Sequence, residues 1–114
     1  MTDETTAKWV RIMCDFSADP VWASDGTMID LDDLPVTPEL KQRLRAWEEV
    51  FDRQDLFASS PSYDVAAFSR TGRELAREVK RQLPDWTVIY FDEEAAAAKA
   101  ADAPTETFEY EIEI

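Results

Sequence analysis

The sequence predicts an α/β fold, with an α+β fold as the alternative, in which a small mixed sheet of about three to five strands packs with two main helices. Two apolar segments with strand character, residues 8–16 and 86–92, lie far apart in the chain. Two amphipathic helical patterns lie between them, and the last seven residues alternate apolar and acidic side chains. We expect the two apolar strands to be parallel neighbours joined by a right-handed crossover, within a single domain spanning residues 1–114.

The first strand is predicted at residues 8–16, where Val10, Ile12 and Cys14 form one apolar face. Cys14 is the only cysteine, so it has no partner for an internal disulfide. A buried thiol in a reducing cytoplasm is the expected state.

A hairpin is predicted next, because two short apolar segments flank Asp25-Gly26. This dipeptide favours a type I′ turn, which needs positive φ at both central residues. An EF-hand calcium loop aligned on Gly26 would place Val21 and Ala23 at positions that require side-chain oxygens. The aspartates of this region therefore do not form a calcium loop of that kind.

The first main helix is predicted to begin with Thr37 as its N-cap and Pro38 at its first position. Its apolar stripe consists of Leu40, Leu44, Trp47 and Phe51. A serine-rich connection is expected from Asp55.

The second main helix is predicted from Asp64, a candidate N-cap, to Leu83, where Pro84 ends it. Its buried face is expected to contain Val65, Phe68, Gly72, Leu75, Val79 and Leu83. A glycine costs stability inside a helix, so Gly72 suggests the close approach of another backbone.

Residues 86–92 are apolar on both faces and are predicted to form a central strand buried on two sides. The last segment predicts another strand with one wet, negatively charged face. Its inward residues would be Phe108, Tyr110, Ile112 and Ile114, and its outward residues Glu109, Glu111 and Glu113.

The composition excludes most common enzymes. The chain has no histidine and two glycines, Gly26 and Gly72. A histidine base, a histidine-containing triad and a zinc site built on Cys and His are therefore excluded, as are a P-loop and a dinucleotide-binding loop. We expect no catalytic residue and no cofactor or metal. The alternative is a Mg²⁺ site at the carboxyl ends of the parallel strands, built on Asp15 and Asp92 together with Glu93 and Glu94.

The net charge of −13 is concentrated at the two ends of the chain. Residues 1–39 hold nine acids and two bases, and residues 85–114 hold nine acids and one base. This charge repels phosphate backbones and attracts basic proteins, although it could also serve solubility alone. No secretory signal or membrane-spanning segment is evident, so we expect a cytoplasmic protein that contacts neither nucleic acid nor membrane.

Two stretches, VWASDGTMIDLDDLPVTPELKQRLRAWEEVFD and LPDWTVIYFDEE, resemble a widespread group of small acidic bacterial proteins. Some members of this group are similar to immunity proteins that neutralise toxins of competing bacteria. The resemblance implies an immunity or antitoxin protein that binds a cognate toxin. The acidic surface suggests that this toxin is basic.

Trp22, beside a turn and among aspartates, has the character of an interface hot spot, although it could instead cap the core beneath the hairpin. The predicted partner-binding residues are Trp22, Asp25, Asp30, Asp32, Asp33, Glu109, Glu111 and Glu113. The runner-up function is a structural or regulatory adaptor that dimerises through the last strand. A Mg²⁺-dependent enzyme using Asp15 and Asp92 is a third hypothesis.

Overall fold

The computed structural model describes residues 8–15, 18–53, 64–98 and 108–113. Within these residues, four strands form one mixed sheet in the order β2-β1-β3-β4, accompanied by three α-helices. The elements are β1 (Trp9–Ile12), β2 (Val21–Trp22), α1 (Pro38–Asp52), α2 (Val65–Gln82), β3 (Thr87–Phe91), α3 (Glu93–Ala98) and β4 (Glu109–Glu111). The predicted mixed α/β fold with two main helices is confirmed.

The parallel pairing of β1 with β3 is also confirmed, with Val10 opposite Val88 and Ile12 opposite Tyr90. These four side chains are fully buried, and they form the centre of the core. The strand β1 is shorter than predicted, because it ends at Ile12. Cys14 is buried and unpaired, as expected.

The hairpin forms around Gly26, but its turn differs from the predicted type I′ turn. The Gly26 N–H donates to the Ala23 carbonyl at 3.0 Å, and the Ala23 N–H donates to the Thr27 carbonyl at 2.8 Å. These are the hydrogen bonds of a three-residue loop, in which the last residue takes positive φ. Gly26 meets that requirement with φ of 90°.

Both main helices begin at their predicted caps. The Thr37 hydroxyl accepts a hydrogen bond from the Leu40 N–H at 3.2 Å, and the Asp64 carboxylate accepts one from the Ala67 N–H at 3.1 Å. The predicted stripe of α1 is buried throughout, whereas Val65 at the start of α2 is only half-buried. The serine-rich connection from Asp55 and the terminal Ile114 lie outside the described residues.

Gly72 permits close packing, although against side chains and not against the backbone we expected. A Cβ atom at this position would overlap the indole of Trp47 and the hydroxyl of Tyr90. The indole N–H donates to the Phe68 carbonyl at 3.0 Å, and the phenol donates to the Ser69 carbonyl at 2.8 Å. Both rings are therefore anchored to α2 one turn before the glycine.

The central position of β3 is confirmed, but its two faces differ in burial. Val88 and Tyr90 are fully buried beneath the helices, whereas Ile89 and Phe91 on the opposite face are half-buried. The prediction of burial on both sides, which followed from the apolar residues of both faces, was therefore wrong for the face of Ile89 and Phe91. Among the described helices, none has the length and apolar character needed to cross a membrane.

Candidate partner-binding surface

One row of side chains crosses the sheet on the face opposite the main helices. Trp22 lies opposite Arg11, Arg11 opposite Ile89, and Ile89 opposite Glu111. Residues in register point to the same side of a sheet, and neighbouring strands lie about 4.8 Å apart. Trp22 and Glu111, the two ends of the predicted site, therefore mark opposite edges of one face, about 14 Å apart. We call this side of the sheet the open face.

Arg11 lies at the centre of the open face, and sequence reasoning did not select it. Its guanidinium donates to the Glu109 carboxylate at 3.2 Å and lies 5.3 Å from the centre of the Trp9 ring. The alternation of residues 8–16 already placed Trp9 and Arg11 on the side opposite Val10 and Ile12, and this was the available signal. Its significance depends on the ion pair with Glu109 of β4, which the local sequence pattern does not reveal.

Trp22 is half-buried on the open face, and its indole N–H donates to the Met13 carbonyl at 2.8 Å. This hydrogen bond fixes the ring against the chain that follows β1. A fixed, half-buried aromatic ring has little conformational entropy to lose when a partner binds. The position of Trp22 is therefore compatible with both predicted roles, an interface anchor and a cover for the core.

Asp25 stabilises the hairpin loop from an exposed position. One carboxylate oxygen accepts hydrogen bonds from the hydroxyl and the backbone N–H of Thr27. These bonds lower the pKa of Asp25. The residue therefore has a structural role that is sufficient to explain its place beside Gly26.

Asp30, Asp32 and Asp33 surround a 3-10 turn, Leu31–Asp33, whose leucine is fully buried. The Asp30 carboxylate accepts from the Asp32 N–H at 2.9 Å and caps this turn. The Asp32 carboxylate forms an ion pair with Arg45 of α1 at 3.1 Å. All three aspartates are exposed, but α1 offsets part of their negative charge.

The glutamates of the last segment differ in their surroundings. Glu109 is ion-paired with Arg11, whereas Glu111 and Glu113 are exposed. Ile112 is buried and Tyr110 is half-buried, which agrees with the predicted alternation.

The Asp92 carboxylate, proposed as one ligand of a Mg²⁺ site, is engaged in structural contacts. It accepts from the Tyr110 hydroxyl at 2.8 Å, from the Ala95 N–H at 3.1 Å and from Arg73 at 3.4 Å. Burial opposes ionisation, but these hydrogen bonds outweigh it and lower the pKa of Asp92. Across the described ranges, no group of three or more His, Cys, Asp or Glu residues is placed to hold a metal ion.

A comparison with protein-family models matches residues 8–93 to the family described as Serratia CdiI immunity protein-like. The match covers about three quarters of the chain. The chain belongs to this family. A search of curated proteins found no match.

Family membership confirms the resemblance to immunity proteins. It suggests a toxin-neutralising role, a cognate toxin as the partner and inhibition without catalysis. The matched region begins just before β1 and ends at the first residue of α3. It contains Trp22 and the 3-10 turn, whereas β4 lies beyond it.

Proposed function

We propose that this immunity protein binds a cognate basic toxin through the open face and occludes the active site of that toxin. The observation that carries the proposal is the register of the sheet, which aligns Trp22, Arg11, Ile89 and Glu111 across four strands on one side. Family membership supplies the toxin as the partner, and the net charge of −13 favours a basic one.

The acidic residues would contribute unequally to attraction. Asp32 and Glu109 are already paired with Arg45 and Arg11, so their fields are partly neutralised. Asp33, Glu111 and Glu113 are exposed, and within the described part of the chain none of them forms an ion pair. Exposed charge of this kind raises the association rate more than it slows dissociation.

The half-buried apolar side chains of the open face would then slow dissociation. Trp9, Trp22, Ile89 and Phe91 provide rings and a branched chain next to a central guanidinium. Aromatic residues and arginine are enriched among the side chains that dominate binding energy at interfaces. Asp25 and Asp30 would act mainly by holding the hairpin loop and the 3-10 turn in place.

The proposal is tested by capture followed by protection. The protein is immobilised, basic proteins retained from a lysate of the bacterium that carries its gene are identified, and each one is expressed in a susceptible host. Co-expression with this chain should restore growth, and co-expression with Trp22→Ala plus Glu111→Lys should restore it less. The proposal is contradicted if none of the captured proteins inhibits growth, or if the variant protects the host as well as the wild type does.

A further inference from the structure

The outer edge of β4 presents backbone groups that the sheet does not use. The Asp92 N–H donates to the Phe108 carbonyl at 2.7 Å, and the Ile112 N–H donates to the Val88 carbonyl at 2.8 Å. Successive residues of an antiparallel strand direct their backbone groups to alternate sides. The N–H and carbonyl groups of Glu109 and Glu111 therefore point away from β3, and the exposure of Glu113, just beyond β4, continues the same alternation.

The two edges of the sheet differ in availability. At the β2 edge, the hairpin return occupies the outward groups: the Thr27 carbonyl accepts from the Ala23 N–H, and the Ile29 N–H donates to the Val21 carbonyl. Trp22 also forms a bridge with Met28. In the part of the chain that the structure describes, β4 pairs with β3 alone. The edge open to pairing is therefore that of β4.

The charge on this edge selects among possible strands. Glu111 and Glu113 are exposed, and Glu109 already pairs with Arg11. A second copy of β4 would place glutamates opposite or diagonal to glutamates, and like charges in those positions are destabilising. A strand with lysine or arginine at alternate positions would instead place a cation opposite each exposed glutamate.

We propose that the outer edge of β4 is a pairing site for an extended basic strand supplied by the toxin, with backbone hydrogen bonds to the segment from Glu109 to Glu113. The inference rests on the proposed function and deepens it, because it assigns a binding mode and a partner chemistry to the glutamates. Addition of a strand to an exposed sheet edge gives affinity through the main chain and specificity through alternate side chains. The same chemistry disfavours self-association through this edge at neutral pH.

The test uses a synthetic peptide with blocked ends, alternating valine and lysine over seven residues, added to the full chain labelled with ¹⁵N. We expect the largest amide shifts at Glu109, Glu111 and Glu113, and smaller shifts at Tyr110 and Ile112, whose amides face β3. A peptide N-methylated on its pairing edge should bind at least about tenfold more weakly. Equal binding of both peptides, or no binding at millimolar concentration, would overturn the proposal.

Two variants separate backbone pairing from charge. Glu111→Gln removes the charge and keeps the outward N–H, whereas Glu111→Pro removes both. Proline is tolerated at such an edge because this N–H forms no hydrogen bond within the sheet. We expect a loss of several-fold for the first variant and a loss of more than tenfold for the second. Equal losses would show that charge alone acts. Glu113→Pro repeats the comparison closer to the chain end, and the spectrum of each variant verifies its fold.

The outcomes also distinguish this inference from the proposed function. If a captured toxin binds Glu111→Pro and Glu111→Gln with equal affinity, the protein is an immunity protein that does not use this edge. If the unliganded chain sediments as a dimer and Glu111→Pro makes it monomeric, the occupant is a second copy and the proposal is wrong. If the peptide binds as expected but no toxin is captured, the proposed function fails and the edge chemistry stands.

Discussion

At the scale of single residues, Glu48 is a poorly accommodated carboxyl group. Its Oε2 atom is shielded from solvent and has no hydrogen-bond partner among the described residues. Burial, together with the neighbouring Asp52, raises the pKa of Glu48 to about 7. The folded state therefore holds this proton more tightly than the unfolded chain does. The stabilisation of the folded state by the protonated Glu48 carboxyl is complete below the ordinary carboxyl pKa, and it is lost as the pH rises through about 7.

We therefore predict that Glu48→Gln increases the free energy of unfolding by about 1 kcal/mol at pH 8 and changes it little at pH 5. The increase at pH 8 is no larger because the partial exposure of the side chain screens the effect. Urea unfolding at the two pH values measures this difference. Glu49→Gln is the matched control, because Glu49 is exposed and paired with Arg53. An equal effect of Glu48→Gln at both pH values would contradict the assignment.

Gly72 provides a second residue-scale prediction, because helix propensity and packing oppose each other there. Alanine is favoured over glycine inside a helix by about 1 kcal/mol. Its Cβ would overlap the indole of Trp47 and the hydroxyl of Tyr90, two buried groups, and overpacking of a core costs about 1–3 kcal/mol. We predict that Gly72→Ala is destabilising by about 1 kcal/mol in urea unfolding. Stabilisation would contradict this packing, and Thr71→Ala, at an exposed position, is the control.

At the scale of elements, Thr37 couples the start of α1 to the end of α2. Its hydroxyl caps α1, and its backbone N–H donates to the Gln82 side chain at 2.9 Å. Thr37→Ala should lower the free energy of unfolding by about 1 kcal/mol, as expected for a lost N-cap. Thr37→Ser keeps the hydroxyl and should leave stability nearly unchanged. Equal losses for the two variants would exclude capping as the cause.

The elements also show which predictions can be made from the sequence. Caps and apolar stripes are local, so Thr37 and Asp64 were identified correctly from their neighbours in the chain. The turn at Gly26 was placed correctly but given the wrong type, because a glycine with positive φ fits both two-residue and three-residue loops. The neighbours of Gly72 were wrong because they come from α1 and β3, which no local pattern specifies.

At the scale of the whole molecule, the sequence predicted an acidic protein but not how its charges are arranged. The order of the strands places Trp22 and Glu111 at opposite edges of one face, and this relation depends on the pairing of both β1 and β4 with their neighbours. The pairing of Glu109 with Arg11 is likewise invisible in the sequence, because 98 positions separate them. Residue types suggested a partner-binding surface, whereas only the sheet defines its shape.

The most direct test of the central claim is the association rate constant of the captured toxin, measured at low and high salt. We compare two double variants that change the net charge equally. The first, Glu111→Lys plus Glu113→Lys, lies on β4 and just beyond it. The second, Glu74→Lys plus Glu94→Lys, lies on the exposed surfaces of α2 and α3. The first pair should lower the rate about tenfold at low salt, with a smaller effect at high salt, and the second pair should lower it much less. Equal reductions by the two pairs would show that total charge attracts the toxin, and would contradict binding through the open face and its β4 edge, where Glu111 and Glu113 lie.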